Sequence, residues 1–203
     1  MRRRVKGEEN PEVATLKREI LSDLERLSEA QQIDSYYADG AAVSLEPCVP
    51  YAWQFADEQV AMPASAGKAI NCFAMLTRDN RALVETTRES IGAAFIFEQM
   101  ERFSVGLRRL TVVVIDNAGA HRARVIKERT GVWQKRGLYL FYLPRYSPHL
   151  NIVETLWRKL KYEWLTPSDY ETRETLSYGV RQALKAVGES LLIQFSRFNH
   201  SLL

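Results

Sequence analysis

The chain is poor in cysteine and in unbroken apolar sequence. Only two of its 203 residues are cysteines, Cys48 and Cys72. Two are too few for a disulfide framework, and their spacing is not that of a zinc finger. A reducing, cytosolic setting is therefore expected. The longest apolar runs, 111–115 and 138–143, fall far short of the roughly 20 residues that span a bilayer. No apolar stretch follows the basic start Met1-Arg2-Arg3-Arg4, so a secretory leader is not expected. The P-loop and dinucleotide glycine patterns are missing. So are internal repeats and low-complexity tracts, and no Ser/His/Asp or Cys/His set stands out for nucleophilic catalysis. What is present is 46% hydrophobic and 26% charged sequence. That composition supports a packed core, in one ordinary domain with at most a small appendage.

The net charge of +3 hides an asymmetry. Residues 31–100 hold 4 basic and 9 acidic groups, whereas residues 101–165 hold 13 basic and 5 acidic ones. The basic stretch also carries nine aromatics, among them Trp133, Tyr142, Tyr146 and Trp157. Clustered basic side chains are the footprint of a phosphate backbone. The structural alternative is a solvated helix face with the aromatics in the core.

Periodicity predicts a helix over 11–32, with Val13, Leu16, Ile20, Leu24 and Leu27 as its apolar stripe. A strand follows from Ile33 to Ala38, ending at Asp39-Gly40. Ala42–Leu45 and Tyr51–Phe55 read as extended, and Ala69–Thr77 and Ala82–Thr86 as strands, which together predict an antiparallel meander. A helix is predicted over 88–106. Leu110–Ile115 is a β-branched run of the kind buried on both faces. A helix over 119–136, a second buried run at Leu138–Leu143, and helices over 151–164 and 171–187 complete a β-α-β-α order. That order predicts a parallel crossover.

Three carboxylates fall at element ends. Asp39 closes the first predicted strand, Asp116 closes the 110–115 strand, and Glu154 lies in the first turn of the helix after the 138–143 strand. If the first and 110–115 strands are neighbours, both aspartates share one sheet edge, where sites form in open α/β sheets. Hard oxygen ligands of this kind suit magnesium or manganese. Two such ions stabilise the attacking and leaving oxygens of a phosphoryl displacement. Each carboxylate also has a structural reading. Asp39-Gly40 is a hairpin signal, Asp116-Asn117 suits a helix cap, and Asn151-x-x-Glu154 imitates a capping box.

The blocks Tyr36-Tyr37-Ala38-Asp39, Val112-Val113-Val114-Ile115-Asp116-Asn117-Ala118-Gly119-Ala120-His121 and Leu143-Pro144-Arg145-Tyr146-Ser147-Pro148-His149-Leu150-Asn151-Ile152-Val153-Glu154-Thr155-Leu156-Trp157 carry a family likeness. Together they resemble the catalytic domain of DDE transposases, in the bacterial insertion-sequence branch (the IS-six-thirty type) of the Tc/mariner superfamily. The resemblance covers roughly residues 33–187, and its last block is the most specific. It implies an α/β, ribonuclease-H-like fold with a mixed five-stranded sheet over residues 33–203, preceded by an amphipathic helix or linker over 1–32. It implies Asp39, Asp116 and Glu154 as catalytic carboxylates holding two Mg²⁺ or Mn²⁺ ions. It further implies cleavage of double-stranded DNA at transposon ends, then attack of the freed 3′-hydroxyl on a TA target, in a cytoplasmic, nucleoid-associated setting.

Asn117 reads as a group that orients Asp116 or a metal-bound water, or as a turn amide; His121 as a phosphate contact or as a helix-surface residue; and Asn151 as a helix cap that aims Glu154. Arg122, Arg124, Arg145, Arg158, Lys159 and Lys161 are candidate DNA-backbone contacts, with a solvated face as the alternative for the last four. Trp157 reads as a core residue. Two departures stand out: Gly40 replaces the glutamate often found after the first aspartate, and 37 residues separate Asp116 from Glu154, a few more than usual. Too few residues precede the first strand for the family's helix-turn-helix modules. End recognition is then expected from a separate polypeptide or through self-association. A catalytically silent fragment that modulates an intact transposase, and a general nuclease of the same fold, are the alternatives.

Overall fold

Five strands form one sheet in the order β3-β2-β1-β4-β5. The computed structural model describes residues 10–46 and 69–196. The predicted extended segment Tyr51–Phe55 lies outside the described residues. Strand β4 (Thr111–Ile115) is buried along its whole length, as a β-branched run in the middle of a sheet must be. It lies parallel to β1 (Asp34–Ser44) and to β5 (Leu138–Tyr142). On the other side β1 pairs antiparallel with β2 (Ala69–Leu76), and β2 with β3 (Ala82–Thr87). The meander and the parallel crossover of the sequence pattern are thus joined in a single mixed sheet.

Helices cover both faces. Alternation along β1 sends Tyr37 and Val43 to one side and Tyr36 and Ala38 to the other. Tyr37 and Val43 join a core with Leu21 of α1 (Pro11–Glu29), Leu156 and Trp157 of α4 (Val153–Lys159), and Leu176 and Val180 of α5 (Arg173–Lys185). Tyr36 and Ala38 join a second core with Ile96 and Met100 of α2 (Ala93–Val105), and Ile126 and Trp133 of α3 (Arg124–Lys135). Glu101 ties the helices of this second layer together. Its carboxylate accepts from Arg129, Trp133 and Arg136, bonds that hold it well below the usual carboxylate range.

Several sequence expectations are corrected. Strand β1 does not stop at Asp39-Gly40; it continues to Ser44, because Asp39 and Gly40 pair with Ala74 and Phe73 of β2. Cross-strand pairing overrides the local turn signal. The face that α1 packs coincides with the predicted stripe only at Leu24, which is half-buried against the core. Leu21, Ser22 and Glu25 are buried, while Val13, Leu16, Ile20 and Leu27 are exposed. Glu25 accepts hydrogen bonds from Tyr37 and, at 2.6 Å, from Arg78, and a buried ion pair of this sort pulls a polar position inward. Helix α1 ends at Glu29, before Gln31 takes a left-handed backbone. The expected helix over 88–106 begins only at Ala93, behind an extended Gly92. The expected helix over 119–136 begins only at Arg124, so His121 and Arg122 lie in turns. Past Lys159, the α4 helix widens into a π-helical turn over Leu160–Trp164. Gly137, with φ +88°, supplies the left-handed residue that stops α3 and starts β5.

Candidate active site

Asp39 and Asp116 arrive by different routes at the same rim of the sheet. Asp116 follows β4 directly, one residue past Ile115. Asp39 sits within β1, two residues beyond Tyr37, which pairs with Val114. Glu154 comes from the first turn of α4, which packs against β1 and β2. All three line one cavity of about 390 Å³, together with Asn117, Arg122, Arg145, Tyr146 and Asn151. Among the described residues no three His, Cys, Asp or Glu side chains are already gathered tightly enough to hold a metal ion. Asp39 and Asp116 are each engaged by a neighbour, and Glu154 is solvent-exposed.

The surroundings push the two aspartates in opposite directions. Asp39 is on the packed side of β1, and burial raises its pKa from the ordinary 3.8 to about 6. The bonds from the Gly40 amide and from Trp157 work against that rise, while the nearby Glu154 and Asp116 add to it. Trp157 donates its indole N–H to Asp39 Oδ2 at 2.9 Å. Asp116 moves the other way, below its ordinary value, chiefly through its bond to His121. His121 Nδ1 donates to Asp116 Oδ1 at 2.5 Å, and the Ala118 amide donates to the same oxygen at 2.9 Å.

His121 is therefore neither a helix-surface residue nor a group reaching outward for phosphate. It is 5% exposed and holds Asp116. Its own turn is fixed by Tyr142, whose hydroxyl donates to the His121 carbonyl at 2.9 Å. Asn117 does not bond to Asp116. Its side-chain amide donates to the Leu143 carbonyl, which straps the end of β4 to the end of β5. Asn151 does two jobs. Its Oδ1 accepts from the Val153 amide at 3.2 Å at the start of α4, and its Nδ2 donates to the Ala38 carbonyl at 3.1 Å, beside Asp39.

Sequence reasoning assigned Trp157 to the core alone. It is buried, at 4% exposure, yet its N–H is directed at a site carboxylate. The available signal was its position three residues after Glu154, which places both on neighbouring faces of one helix. Tyr146 was likewise missed. It lines the cavity, is 66% exposed and holds a left-handed backbone with φ +56°, a conformation uncommon outside glycine and often found at functional loops. Of the expected backbone contacts, Arg122 and Arg145 line the cavity. Arg124 is instead paired with Glu128 at 2.6 Å and Lys159 with Glu163 at 2.7 Å, each within its own helical stretch. Arg158 and Lys161 are not among the lining residues. At Gly40 a Cβ would come within 3.2 Å of Ile91 Cδ1, so a glutamate there would require Ile91 to yield.

Residues 34–177 match the family model described as DDE superfamily endonuclease. No curated protein sequence matches the chain. Among solved structures, a Mos1 mariner paired-end complex with Mn superposes with a TM-score of 0.58 at 15% identity, covering 92% of this chain and 59% of that one. The Mos1 strand transfer complex gives 0.52 at 15% identity, covering 91% and 62%. A simian T-cell lymphotropic virus intasome, in complex with PP2A regulatory subunit B56 gamma, gives 0.56 at 10% identity, covering 81% and 51%. At these identities the likeness is one of fold, that of ribonuclease-H-like transposase and integrase cores. The chain spans about three fifths of the length of the Mos1 chains it matches. No helix among the described residues is long and apolar enough to cross a membrane.

Proposed function

Because this chain belongs to the DDE superfamily endonuclease family, we propose that it cleaves DNA at the ends of a bacterial insertion sequence and transfers the freed strand to a TA target. The observation that carries this reading is the convergence of Asp39, Asp116 and Glu154, from three separate elements, on one cavity. Three carboxylates from a strand, a strand end and a helix supply hard oxygen donors and no competing soft ones, which fits Mg²⁺ or Mn²⁺. The manganese named with one mariner complex of the same fold is consistent with that choice. Asp39, Asp116 and Glu154 would hold the ions. When bound, two such ions stabilise the attacking and leaving oxygens of an in-line displacement at phosphorus.

The rest of the chemistry belongs to the protein. Trp157 and His121 each fix one carboxylate oxygen, so the donor set is oriented before substrate arrives. Arg122 and Arg145 set positive charge on the cavity wall beside the acids, where a phosphodiester has to sit. In cleavage, water forms a bond to phosphorus as the P–O3′ bond breaks, and a proton from that water ends on the departing O3′, leaving a 3′-hydroxyl opposite a 5′-phosphate. That hydroxyl is the nucleophile of the second step, bonding to a target phosphorus, displacing the target strand's own O3′ and passing its proton to it, a step that needs positioning more than new groups. End recognition is assigned to helix-turn-helix modules working with this catalytic domain on the bacterial nucleoid.

The test is nicking of DNA that carries the element's ends, in Mg²⁺ or Mn²⁺, by the wild-type chain and by Asp116→Asn. The substitution should abolish nicking and leave DNA binding in place. Nicking that survives Asp116→Asn rejects the assignment.

A further inference from the structure

A second cavity, of about 710 Å³, adjoins the acidic one and shares Asn117, Arg122 and Arg145 with it. To these it adds Lys17 of α1 and Lys127 of α3. Four cationic side chains line it and no carboxylate does, although the same chain interleaves both signs elsewhere. Lys17 comes from a helix outside the basic stretch of the sequence. It lies against the end of β5, with Nζ 3.5 Å from the Leu143 carbonyl. Arg122 stands where the two cavities meet, on the turn that Tyr142 fastens through the His121 carbonyl. The groove therefore runs from the acidic trio, past Arg122 and Arg145, to Lys127 and Lys17.

A continuous row of cations opening into an acidic cleft suits a polyanion whose one reacting phosphate sits among the acids while its neighbours lie outside. The other basic candidates do not make such a row. Neither cavity is lined by Arg124, Arg158, Lys159 or Lys161. Resting on the function proposed above, we propose that the DNA backbone flanking the scissile phosphate lies in the groove between α3 and α1, held by Lys17 and Lys127 together with Arg122 and Arg145, and not along α4. Helix α1 is then one wall of the DNA path.

The experiment measures affinity for a duplex of arbitrary sequence by fluorescence anisotropy, in EDTA, from 50 to 300 mM salt. Each phosphate contact contributes about 0.9 to the slope of log affinity against log salt. The double variant Lys17→Gln, Lys127→Gln should therefore lower the slope by about 1.8 and weaken binding at 100 mM salt by roughly tenfold to sixtyfold. Lys17→Arg with Lys127→Arg should keep the wild-type slope, which separates lost charge from a disturbed α1. Arg158→Gln with Lys161→Gln should leave the slope unchanged. An unchanged slope in the Lys17/Lys127 pair, a slope lost equally in the arginine pair, or a loss carried by Arg158 and Lys161 overturns the proposal. Nicking by the wild-type chain and by Asp116→Asn is read in parallel. If nicking depends on Asp116 but the Lys17/Lys127 slope does not move, the groove alone is wrong. If the slope falls as stated but no metal-dependent nicking is found, the enzymatic reading alone is wrong.

Discussion

Replacing Trp157 by phenylalanine removes one N–H and leaves most of a buried ring. The N–H it removes donates to Asp39 Oδ2 at 2.9 Å. Hydrogen bonds to charged groups contribute about 1.5–3 kcal/mol. At about 1.4 kcal/mol per factor of ten, this predicts a loss of roughly 10- to 100-fold in divalent-metal affinity, the range usual for partners that orient metal ligands. The bond also lowers the Asp39 pKa, which burial already lifts to about 6. Removing it moves that pKa further up. Asp39 binds metal as the carboxylate, so affinity falls as pH drops through its pKa, and in Trp157→Phe the fall begins at higher pH. Calorimetric titration with Mn²⁺ from pH 5.5 to 8.5 reads both effects. Trp133→Phe is the matched control. Trp133 is also buried and also donates to a carboxylate, Glu101, at 2.8 Å, but on the opposite face of the sheet. It should lower stability and leave Mn²⁺ affinity alone. Equal affinities and identical pH profiles for wild type and Trp157→Phe would refute the positioning role.

Three further outcomes follow from the packing. Asp39→Asn should stabilise the fold at neutral pH. A folded-state pKa of about 6 against 3.8 means that the native protein binds the Asp39 proton more tightly than the unfolded chain. Wild-type stability is then lost as pH rises from about 4 through 6, by up to about 3 kcal/mol. Urea denaturation should show a gain for Asp39→Asn at pH 7.5 that vanishes near pH 4, and a gain of the same size at both would count against it. Gly188→Ala should cost about 2 kcal/mol or more, because φ is +85° and a Cβ would meet the Asn80 carbonyl oxygen at 2.4 Å; an unchanged urea midpoint would contradict the close approach. Glu25→Ala removes the carboxylate to which the Tyr37 hydroxyl and Arg78 Nε donate, while Arg78 keeps its bond to the Ser196 carbonyl. It should cost about 3 kcal/mol and speed amide hydrogen exchange across α1 before the sheet.

The parts of this fold legible in the sequence are those where burial writes an unambiguous pattern. Thr111–Ile115 is buried throughout in the middle of the sheet and reads as an apolar run of strand length. Leu138–Tyr142 reads the same way, but at the parallel edge only Leu138 of the strand is buried, so the expected burial on both faces is not found there. Asp116 was legible because such a run stops abruptly at an acid. The continuity of β1 was not, because Asp39-Gly40, between two segments that do read as extended, has the chemistry of a turn, and only pairing with β2, far along the chain, keeps it extended. The packed face of α1 was hidden for a related reason. Its buried Glu25 makes sense only beside Arg78, 53 residues away. His121 and Trp157 illustrate a third limit. The sequence reads Trp157 as core and His121 as a phosphate contact, but whether a ring is buried against a carboxylate depends on which element it packs against. Lys17 lies in a stretch where basic and acidic residues balance, so no charge count singles it out.

Strand β1 outlasts its parallel neighbour. Its ladder with β4 ends at Tyr37, while its ladder with β2 continues to Ser44. The two-stranded remainder, Ala38–Ser44, extends on the order of 20 Å beyond that point, with Asp39 at its root. Paired ribbons coil more sharply than strands flanked on both sides, so the root is where the pitch changes. There the Asn151 amide plugs the Ala38 carbonyl, the seat that a continuing β4 would have filled. The angle at which Asp39 faces Asp116 is thus governed by a carboxamide anchored at the start of α4, whose grip is on the main chain and not on either acid.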